Sequence, residues 1–301
     1  MAKTKTKKKT KAPILKPKFD REDMREYNKS GRFYVLPDGG DTVKYPSVTS
    51  VIGGGVPKPA LMGWAGKYAA EFAVKNLEMV EQMVGGEGDQ GAVDWIKGAS
   101  GRYTRQAGME GSAVHNFAEE YFHGFDPDPE DFFISDRSEE MMKQVIHFIH
   151  AIKPRMLHVE PLLYSKEHGY AGAADFIAKV KNPELLKLWR WKKKRQPVVL
   201  FDFKTSNSGI YPEVALQLAA YAHSDTLLTM DGKEHEMPAI DLAAAVHIRE
   251  DSWSIQPLVI DDYVFDAFLA AMTVSEFQKS TDNWRGTRKV VGNPIARGGA
   301  E

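Results

Sequence analysis

The segment PVVLFDFKTSN, residues 197–207, has the pattern of a buried β-strand that ends in charged residues. Side chains alternate between the two faces of a strand, so Asp202 and Lys204 share one face while Phe201 and Phe203 lie on the other. Both faces begin with apolar residues, which is typical of a strand in the middle of a sheet. A carboxylate and an ammonium are costly to bury there unless they pair or bind a ligand. The pattern therefore predicts a functional site at the end of this strand.

A second carboxylate, Asp175, lies in GYAGAADFIAKV, which reads as the strand immediately before. If the two strands form a hairpin, Asp175 and Asp202 converge on one face near one end of the sheet. Two close carboxylates either share a proton or bind a cation. A divalent ion with oxygen ligands is the simpler answer, because Lys204 gives the same face a second polar role.

Two helical segments carry polar pairs at a spacing of four residues, which places both members of a pair on one side of a helix. GSAVHNFAEE contains His115 and Glu119 beside an apolar stripe, and QLAAY contains Gln217 and Tyr221. A helix that packs on the sheet could direct the first pair toward the two carboxylates. The second pair follows the strand that carries Asp202.

The elements that position these residues follow from hydrophobic periodicity. Residues 31–55 indicate two short extended pieces around a Pro-Asp-Gly-Gly turn, and residues 58–153 indicate helices with an interruption at GGEGDQG. The period then changes to two, which predicts three strands over residues 155–169, 170–180 and 197–206. A helix over 212–228, a hairpin over 240–260 and a last helix over 261–278 follow.

Composition narrows the class of protein. The 301 residues are 43% hydrophobic and 27% charged, as in ordinary globular proteins, and the default is one principal domain. The absence of cysteine excludes disulfides, thiolate zinc sites and cysteine-ligated iron–sulfur clusters, so any metal must be held by oxygen or imidazole. With no apolar run of membrane-spanning length and no apolar N-terminal segment, we expect a cytoplasmic protein without membrane contact.

Two segments are strongly basic although the net charge is only -1. Residues 1–20 read as a disordered lysine-rich tail, which either solubilises the chain or contacts nucleic acid, and residues 281–301 read as a second flexible tail. The segment LWRWKKKRQP suits stacking on bases beside phosphate contacts, or it forms a solvated hairpin loop whose tryptophans pack back on the sheet. Its candidate DNA-binding residues are Trp189, Arg190, Trp191, Lys192, Lys193, Lys194 and Arg195.

Taken together, these motifs resemble the PD-(D/E)xK nuclease superfamily, specifically the RecB-like exonucleases of bacteria and phages. The likeness runs from about Tyr45 to about Ile260, and the missing cysteines make the iron–sulfur relatives a poor match. The matching residues are Gly111, His115 and Glu119, then Gly172 and Asp175, then Asp202, Phe203 and Lys204, and finally Gln217 and Tyr221.

The resemblance implies an α/β fold with a restriction-endonuclease-like αβββαβ core, a central mixed sheet flanked by helices, and an N-terminal helical extension. A single nuclease domain would span residues 30–280, with a helical part over about 58–153 and a catalytic core over about 155–275. The implied activity is metal-dependent hydrolysis of DNA, most simply as an exonuclease in recombination, repair or replication, encoded by a phage and working in the host cytoplasm.

The resemblance also implies roles for individual residues. Asp175 and Asp202, with the backbone carbonyl of Phe203 and the imidazole of His115, would bind Mg²⁺ or Mn²⁺. Lys204 would position the attacking water and offset negative charge in the transition state. Glu119 would be an outer ligand or would orient the imidazole. Gln217 and Tyr221 would orient the lysine or the DNA strand, although Tyr221 also fits a purely structural place; Glu160 is either a further acid of the site or a solvent-facing strand residue.

Three other functions stay open at this point. A structure-specific endonuclease would use the same core on branched or flapped DNA. A catalytically silent DNA-binding subunit would have no need for a buried acid pair. A hydrolase of small phosphorylated substrates would leave the basic segments unexplained. The expected partner is linear duplex or single-stranded DNA, and both a recombination or replication partner protein and an oligomer are compatible with the sequence.

Overall fold

We describe the fold from a computed structural model, which places residues 24–28, 31–38, 40–229 and 231–279. The two predicted tails, residues 1–20 and 281–301, lie outside the described residues. The helices are α1 (Val48–Gly55), α2 (Pro59–Lys75), α3 (Leu77–Lys97), α4 (Ala99–Phe122), α5 (Asp136–Ile152), α6 (Pro183–Leu188), α7 (Glu213–Ala222) and α8 (Asp262–Lys279), with a 3-10 turn over Pro129–Phe132. The strands are β1 (Arg25–Asn28), β2 (Gly31–Asp38), β3 (Asp41–Pro46), β4 (Arg155–Val159), β5 (Leu162–Ser165), β6 (Tyr170–Ala173), β7 (Phe176–Lys179), β8 (Val198–Lys204), β9 (Thr226–Leu228), β10 (Glu234–Glu236), β11 (Leu242–Ile248) and β12 (Trp253–Leu258).

A five-stranded mixed sheet forms the centre of the molecule, in the order β12-β11-β8-β7-β4. The middle strand, β8, pairs antiparallel with β7 and parallel with β11. Its two faces bury different residues, as the alternating pattern predicts. Leu200 packs into a cluster with residues of α1, α7 and α8, whereas Phe201 packs into a cluster with residues of α4 and α5. The fold is therefore mixed α/β, with a mixed sheet flanked by helices.

A four-stranded sheet, ordered β10-β9-β5-β6, and an N-terminal three-stranded sheet, β1-β2-β3, adjoin the central sheet. They share a small aromatic core that includes Tyr34, Tyr45 and Tyr164. The rings of Tyr45 and Tyr164 lie 5.6 Å apart between centroids. The predicted extended pieces before residue 48 thus form a hairpin, and they pack against the four-stranded sheet, which we call the second sheet.

Two of the three predicted strands, over 155–169 and 170–180, are not continuous, because each is divided between two sheets. The chain leaves the central sheet after β4 and returns to it at β7, and between these points β5 and β6 belong to the four-stranded sheet. The crossings fall at Glu160, which has a positive φ of 46°, and at the bend around Asp175. The backbone N–H of Glu160 donates to the carbonyl oxygen of Asp175 at 2.8 Å, so the two crossings lie side by side.

Two other predicted features also differ, although the predicted interruption at GGEGDQG is confirmed by a kink at Gly88, which has a non-helical φ of 77°. The helix predicted over 212–228 ends at Ala222, and Thr226–Leu228 forms β9. The connection between β7 and β8 contains α6, so it is not a simple hairpin loop. The predicted hairpin around Glu250 and Asp251 is confirmed by the antiparallel pairing of β11 with β12. Within the described ranges, none of the helices combines the length and apolar character needed to cross a membrane.

Candidate active site

The end of β8 carries a buried network of polar side chains on the face covered by α7. Asp202 is 2% exposed, and its Oδ2 forms an ion pair with the ammonium of Lys204. Gln217 donates through Nε2 to Asp202 Oδ1 at 2.8 Å and accepts through Oε1 from Lys204 Nζ at 3.2 Å. The same amide lies 3.3 Å from the hydroxyl of Tyr221. A single amide thus holds the carboxylate and the ammonium in one arrangement.

A glycine allows the phenol to approach the second sheet. A Cβ added at Gly172, in β6, would lie 2.4 Å from Cε1 of Tyr221. No side chain larger than hydrogen fits at this position without moving the ring. The motif residues Gly172 and Tyr221 therefore depend on each other sterically.

The second carboxylate lies in the bend before β7 and faces a helix. Asp175 Oδ1 is 2.9 Å from Nδ1 of His115 in α4, and its Oδ2 accepts a hydrogen bond from the backbone N–H of Phe203. Glu160 completes a group with these two residues, because one ligand atom from each of His115, Glu160 and Asp175 lies within 4.8 Å of the others. An imidazole and two carboxylates at this spacing could hold a metal ion.

The charges of the two carboxylates are coupled. Burial opposes ionisation of Asp175, but His115, Lys204 and the amide of Phe203 outweigh it and leave the pKa of this carboxyl below its usual value. Burial raises the pKa of Asp202; Lys204 works against this, and the Asp175 carboxylate raises the pKa further. Asp202 is therefore the harder of the two to ionise, as expected for close acids in a low-dielectric environment.

The same carboxylates raise the pKa of the His115 imidazole. Burial alone would lower the pKa of His115, but the carboxylates of Asp175, Glu160 and Asp202 outweigh burial and raise it to about 9. His115 is thus a cation at neutral pH in this structure. A metal ion that took this imidazole as a ligand would have to displace the proton. Burial, followed by Tyr34 and Asp202, raises the pKa of Tyr221 well above its usual value, so the phenol stays neutral.

Most of the predicted site residues meet at this end of β8, but their arrangement differs in detail from the prediction. His115 reaches Asp175, whereas Oε1 of Glu119 lies 3.9 Å from Nε2 of His123. A role for Glu119 in orienting His115 therefore stays a prediction. Glu160 is not a solvent-facing strand residue. It lies in the bend after β4 and belongs to the group that could hold a metal.

The basic segment lies at the opposite end of the central strand. It ends just before Val198, about five residues or roughly 17 Å of extended strand from Asp202. Arg195 forms a two-pronged ion pair with Asp241, which also accepts from the N–H of Val198 at 2.9 Å. Trp189 packs against the core near Phe201, with 6.4 Å between ring centroids. Trp189 therefore packs back on the sheet, as in the alternative in which this segment is a structural loop.

The remainder of the basic segment is more open. Trp191 donates through Nε1 to the carbonyl oxygen of Arg195 at 2.7 Å, and Lys193 lies over its ring at 5.0 Å. Lys193 is also 3.6 Å from Asp241, while Lys192 and Lys194 are exposed. Binding of DNA by this segment stays a prediction, and any such contact would be distant from the carboxylates.

Sequence reasoning missed a partly buried ion pair beside the site, between Arg137 in α5 and Glu110 in α4, with Arg137 Nη1 2.5 Å from Glu110 Oε2. The available signal was slight: Glu110 directly precedes the motif residue Gly111.

A scan against protein-family models gives no match for this chain, and a search of curated proteins finds no relative.

Proposed function

We propose that the protein is a metal-dependent deoxyribonuclease of the PD-(D/E)xK type that acts as an exonuclease on linear DNA. The observation that supports this most strongly is that two buried and electrostatically interacting acids, Asp175 and Asp202, lie with Lys204 at the end of the central strand, where Asp175 accepts from the N–H of Phe203. A purely structural strand end has no need for two coupled acids in a core. Such groups are typical of catalytic sites.

The order of elements agrees with this proposal. Along the chain, α5 is followed by the central-sheet strands β4, β7 and β8, then by α7 and β11. This is the order expected of an αβββαβ core, once α6 and the four strands of the other sheet, β5, β6, β9 and β10, are set aside. The helices α2, α3 and α4 would form the N-terminal extension.

The donor set suits a hard divalent cation such as Mg²⁺ or Mn²⁺. Asp175, Asp202 and Glu160 offer carboxylate oxygens, the carbonyl of Phe203 offers another oxygen, and His115 offers an imidazole that favours manganese. When bound, the metal would lower the pKa of a water and neutralise charge on the scissile phosphate. Because the pKa of His115 is raised to about 9, this imidazole must lose its proton when it acts as a ligand.

The remaining residues have roles that follow from their contacts. Lys204 would position the attacking water and stabilise negative charge on the phosphate. Gln217 would keep the ammonium next to Asp202, and Tyr221 would support the amide from behind. The exposed part of the basic segment would contact DNA remote from the cut, through phosphates and ring stacking. We place this activity in phage recombination, repair or replication, in the host cytoplasm, with a partner protein or oligomer where the pathway requires one.

The deciding experiment is a cleavage time course on end-labelled linear DNA and on covalently closed circles, both single- and double-stranded. Each substrate is incubated with Mg²⁺, Mn²⁺ or EDTA. Metal-dependent loss of linear DNA alone supports an exonuclease. Cutting of closed circles changes the assignment to an endonuclease, and binding without cutting supports a silent DNA-binding subunit.

Two variants link the activity to the site. We expect Asp202→Ala to lose both Mn²⁺ binding and cleavage, because it removes a ligand. We expect Lys204→Met to bind Mn²⁺ normally and to cut at least about 100-fold more slowly, because it removes only the group that acts on water and phosphate. Asp225→Asn, an acid of the second sheet, and Lys166→Met are the matched controls and should cut like the parent protein. Wild-type cleavage by Lys204→Met would show that the catalytic assignment is wrong.

A further inference from the structure

A partly buried arginine joins three elements around the candidate active site. Arg137, in the first turn of α5, is 17% exposed at its side chain. Its Nη1 donates to Oε2 of Glu110, and its Nη2 donates to the carbonyl oxygen of Thr205 at 2.8 Å and to Oδ1 of Asn207 at 2.7 Å. The carboxylate of Glu250 lies 3.3 Å from its Nε. One guanidinium therefore connects α4, α5 and the loop that follows β8.

Glu110 is built into this network as a charged group. It is 6% exposed, and it also accepts from Ser135 Oγ at 2.7 Å and from Gln106 Nε2 at 3.2 Å. Burial opposes its ionisation, but the hydrogen bonds from Ser135, Arg137 and Gln106 outweigh burial and lower its pKa. The network thus contains a buried carboxylate that depends on Arg137 for its charge balance.

The network touches the chain on both sides of the candidate site. Thr205 directly follows Lys204, and Glu110 lies five residues before His115 on α4. The loop is fixed further by Asn207, which donates to the hydroxyl of Tyr103 at 2.6 Å. A neutral arrangement of apolar residues could pack α4 against α5, but it could not bond the carbonyl oxygen of Thr205. The arginine therefore does more than pack α4 against α5, because it also holds the loop after β8.

Close approach confirms that α4 and this loop are matched to each other. A Cβ added at Gly111 would lie 2.9 Å from Oγ1 of Thr205. On the other side of the loop, the carbonyl oxygen of Ser206 is 2.6 Å from Nε2 of His247 in β11. The backbone that leaves Lys204 is thereby held from α4, from α5 and from the neighbouring strand.

We propose that Arg137 is a positioning residue, which fixes the end of β8 so that the ammonium of Lys204 stays beside Asp202. Its part in DNA cleavage rests on the proposed function; its effect on Lys204 does not. Arginine is required because its planar guanidinium bonds a carboxylate, a main-chain carbonyl and an amide oxygen in fixed directions, which lysine cannot do.

The test separates positioning from stability with the variants Arg137→Met, Glu110→Gln and the double variant. Arg137→Met alone leaves a buried carboxylate without its cation, so we expect a clear fall in melting temperature. The double variant removes both charges, and we expect it to recover most of that loss. The deciding comparison is between Glu110→Gln and the double variant, since both lack the buried negative charge and differ only at Arg137.

The first measurement is the rate at which an acylating reagent modifies Lys204, followed by mass spectrometry with Lys166 as internal reference. We expect Lys204 to react at least about threefold faster in the double variant than in Glu110→Gln, because its ion pair with Asp202 is less well held. Lys143→Met, which removes an exposed cation from the same helix, should leave the rate unchanged. An equal Lys204 rate in the two deciding variants would overturn the proposal.

The second measurement is DNA cleavage. We expect kcat of the double variant to be at least about tenfold below that of Glu110→Gln, with KM and Mn²⁺ affinity within about threefold, because Arg137 contacts none of the candidate ligands. Equal kcat in the two variants would overturn the catalytic consequence of positioning. If the wild-type protein cut no DNA while Lys204 still became more reactive in the double variant, the proposed function would fail and the positioning of Lys204 by Arg137 would stand.

Discussion

Replacing His115 with glutamine should change how the stability of the metal-free protein depends on pH. The carboxylates around His115 raise its pKa to about 9, compared with an ordinary value of 6.5. Because the folded-state pKa is the higher one, the stabilisation is fully present below about pH 6.5 and is lost as the pH rises through about 9. Glutamine keeps a polar side chain of similar length but does not titrate.

The size of the effect follows from these two values. The interval between 6.5 and about 9, at about 1.4 kcal/mol per pH unit, corresponds to about 3 kcal/mol. The side chain is 29% exposed, and solvent screening reduces this figure. We therefore expect the free energy of unfolding of the wild-type protein, relative to that of His115→Gln, to be about 1 to 3 kcal/mol larger at about pH 6 than at about pH 10.

The assay is urea unfolding of both proteins in EDTA, with the free energy of unfolding measured at intervals from about pH 5 to about pH 10. Groups that titrate equally in both proteins cancel in the difference. His158→Gln is a control of opposite sign, because burial and His235 lower the pKa of His158. For this pair, the free energy of unfolding of the wild-type protein should increase relative to that of His158→Gln as the pH rises from about 5 to about 7. A difference between wild type and His115→Gln that stays constant with pH would refute the electrostatic account of the site.

Two further predictions concern packing and DNA. Gly172→Ala should destabilise the protein by about 1 to 3 kcal/mol and weaken cleavage, because the new methyl group would displace the ring of Tyr221. Gly66→Ala, in the open part of α2, should be neutral or slightly stabilising in the same thermal melts. Replacing Lys192 and Lys194 with glutamine should lower DNA affinity at low salt and reduce the slope of log K against log salt by about 1 to 2, if both contact phosphates. An unchanged slope in filter-binding titrations would exclude this segment from the DNA contact.

The central strand could be predicted in detail because its sequence carries two independent signals. Alternation assigned Leu200 and Phe201 to opposite faces, and each residue does pack into a separate core cluster. The charged residues at the strand end had to meet partners, and the spacing of Gln217 and Tyr221 on the next helix supplied them. These contacts are local in the sheet, so they follow from pattern and order alone.

The two crossings between sheets could not be predicted in this way. A period of two continues unchanged whether a chain stays in one sheet or passes to another, so the period does not signal a change of partner strands. Glu160 adopts a positive φ that is rare outside glycine, and the local signal at that position is Pro161, which interrupts the strand pattern without showing which sheet follows. The sequence did indicate that His115 and Asp175 belong to one site, and it left two alternatives for Glu160; the close approach of Glu160 to both residues depends on the crossings.

The crossings also give the site a mechanical property. Glu160 and Asp175 each lie where the chain passes between the two sheets, and their backbones are tied at 2.8 Å. Any rocking of the second sheet against the central one would change the separation of their carboxylates. A cation held by both carboxylates would stabilise the arrangement in which they lie close together, so by thermodynamic linkage a change that favours this arrangement should raise the affinity for the cation. Substitutions in the aromatic core around Tyr164, which the four-stranded sheet shares with the N-terminal sheet, should therefore alter cation affinity.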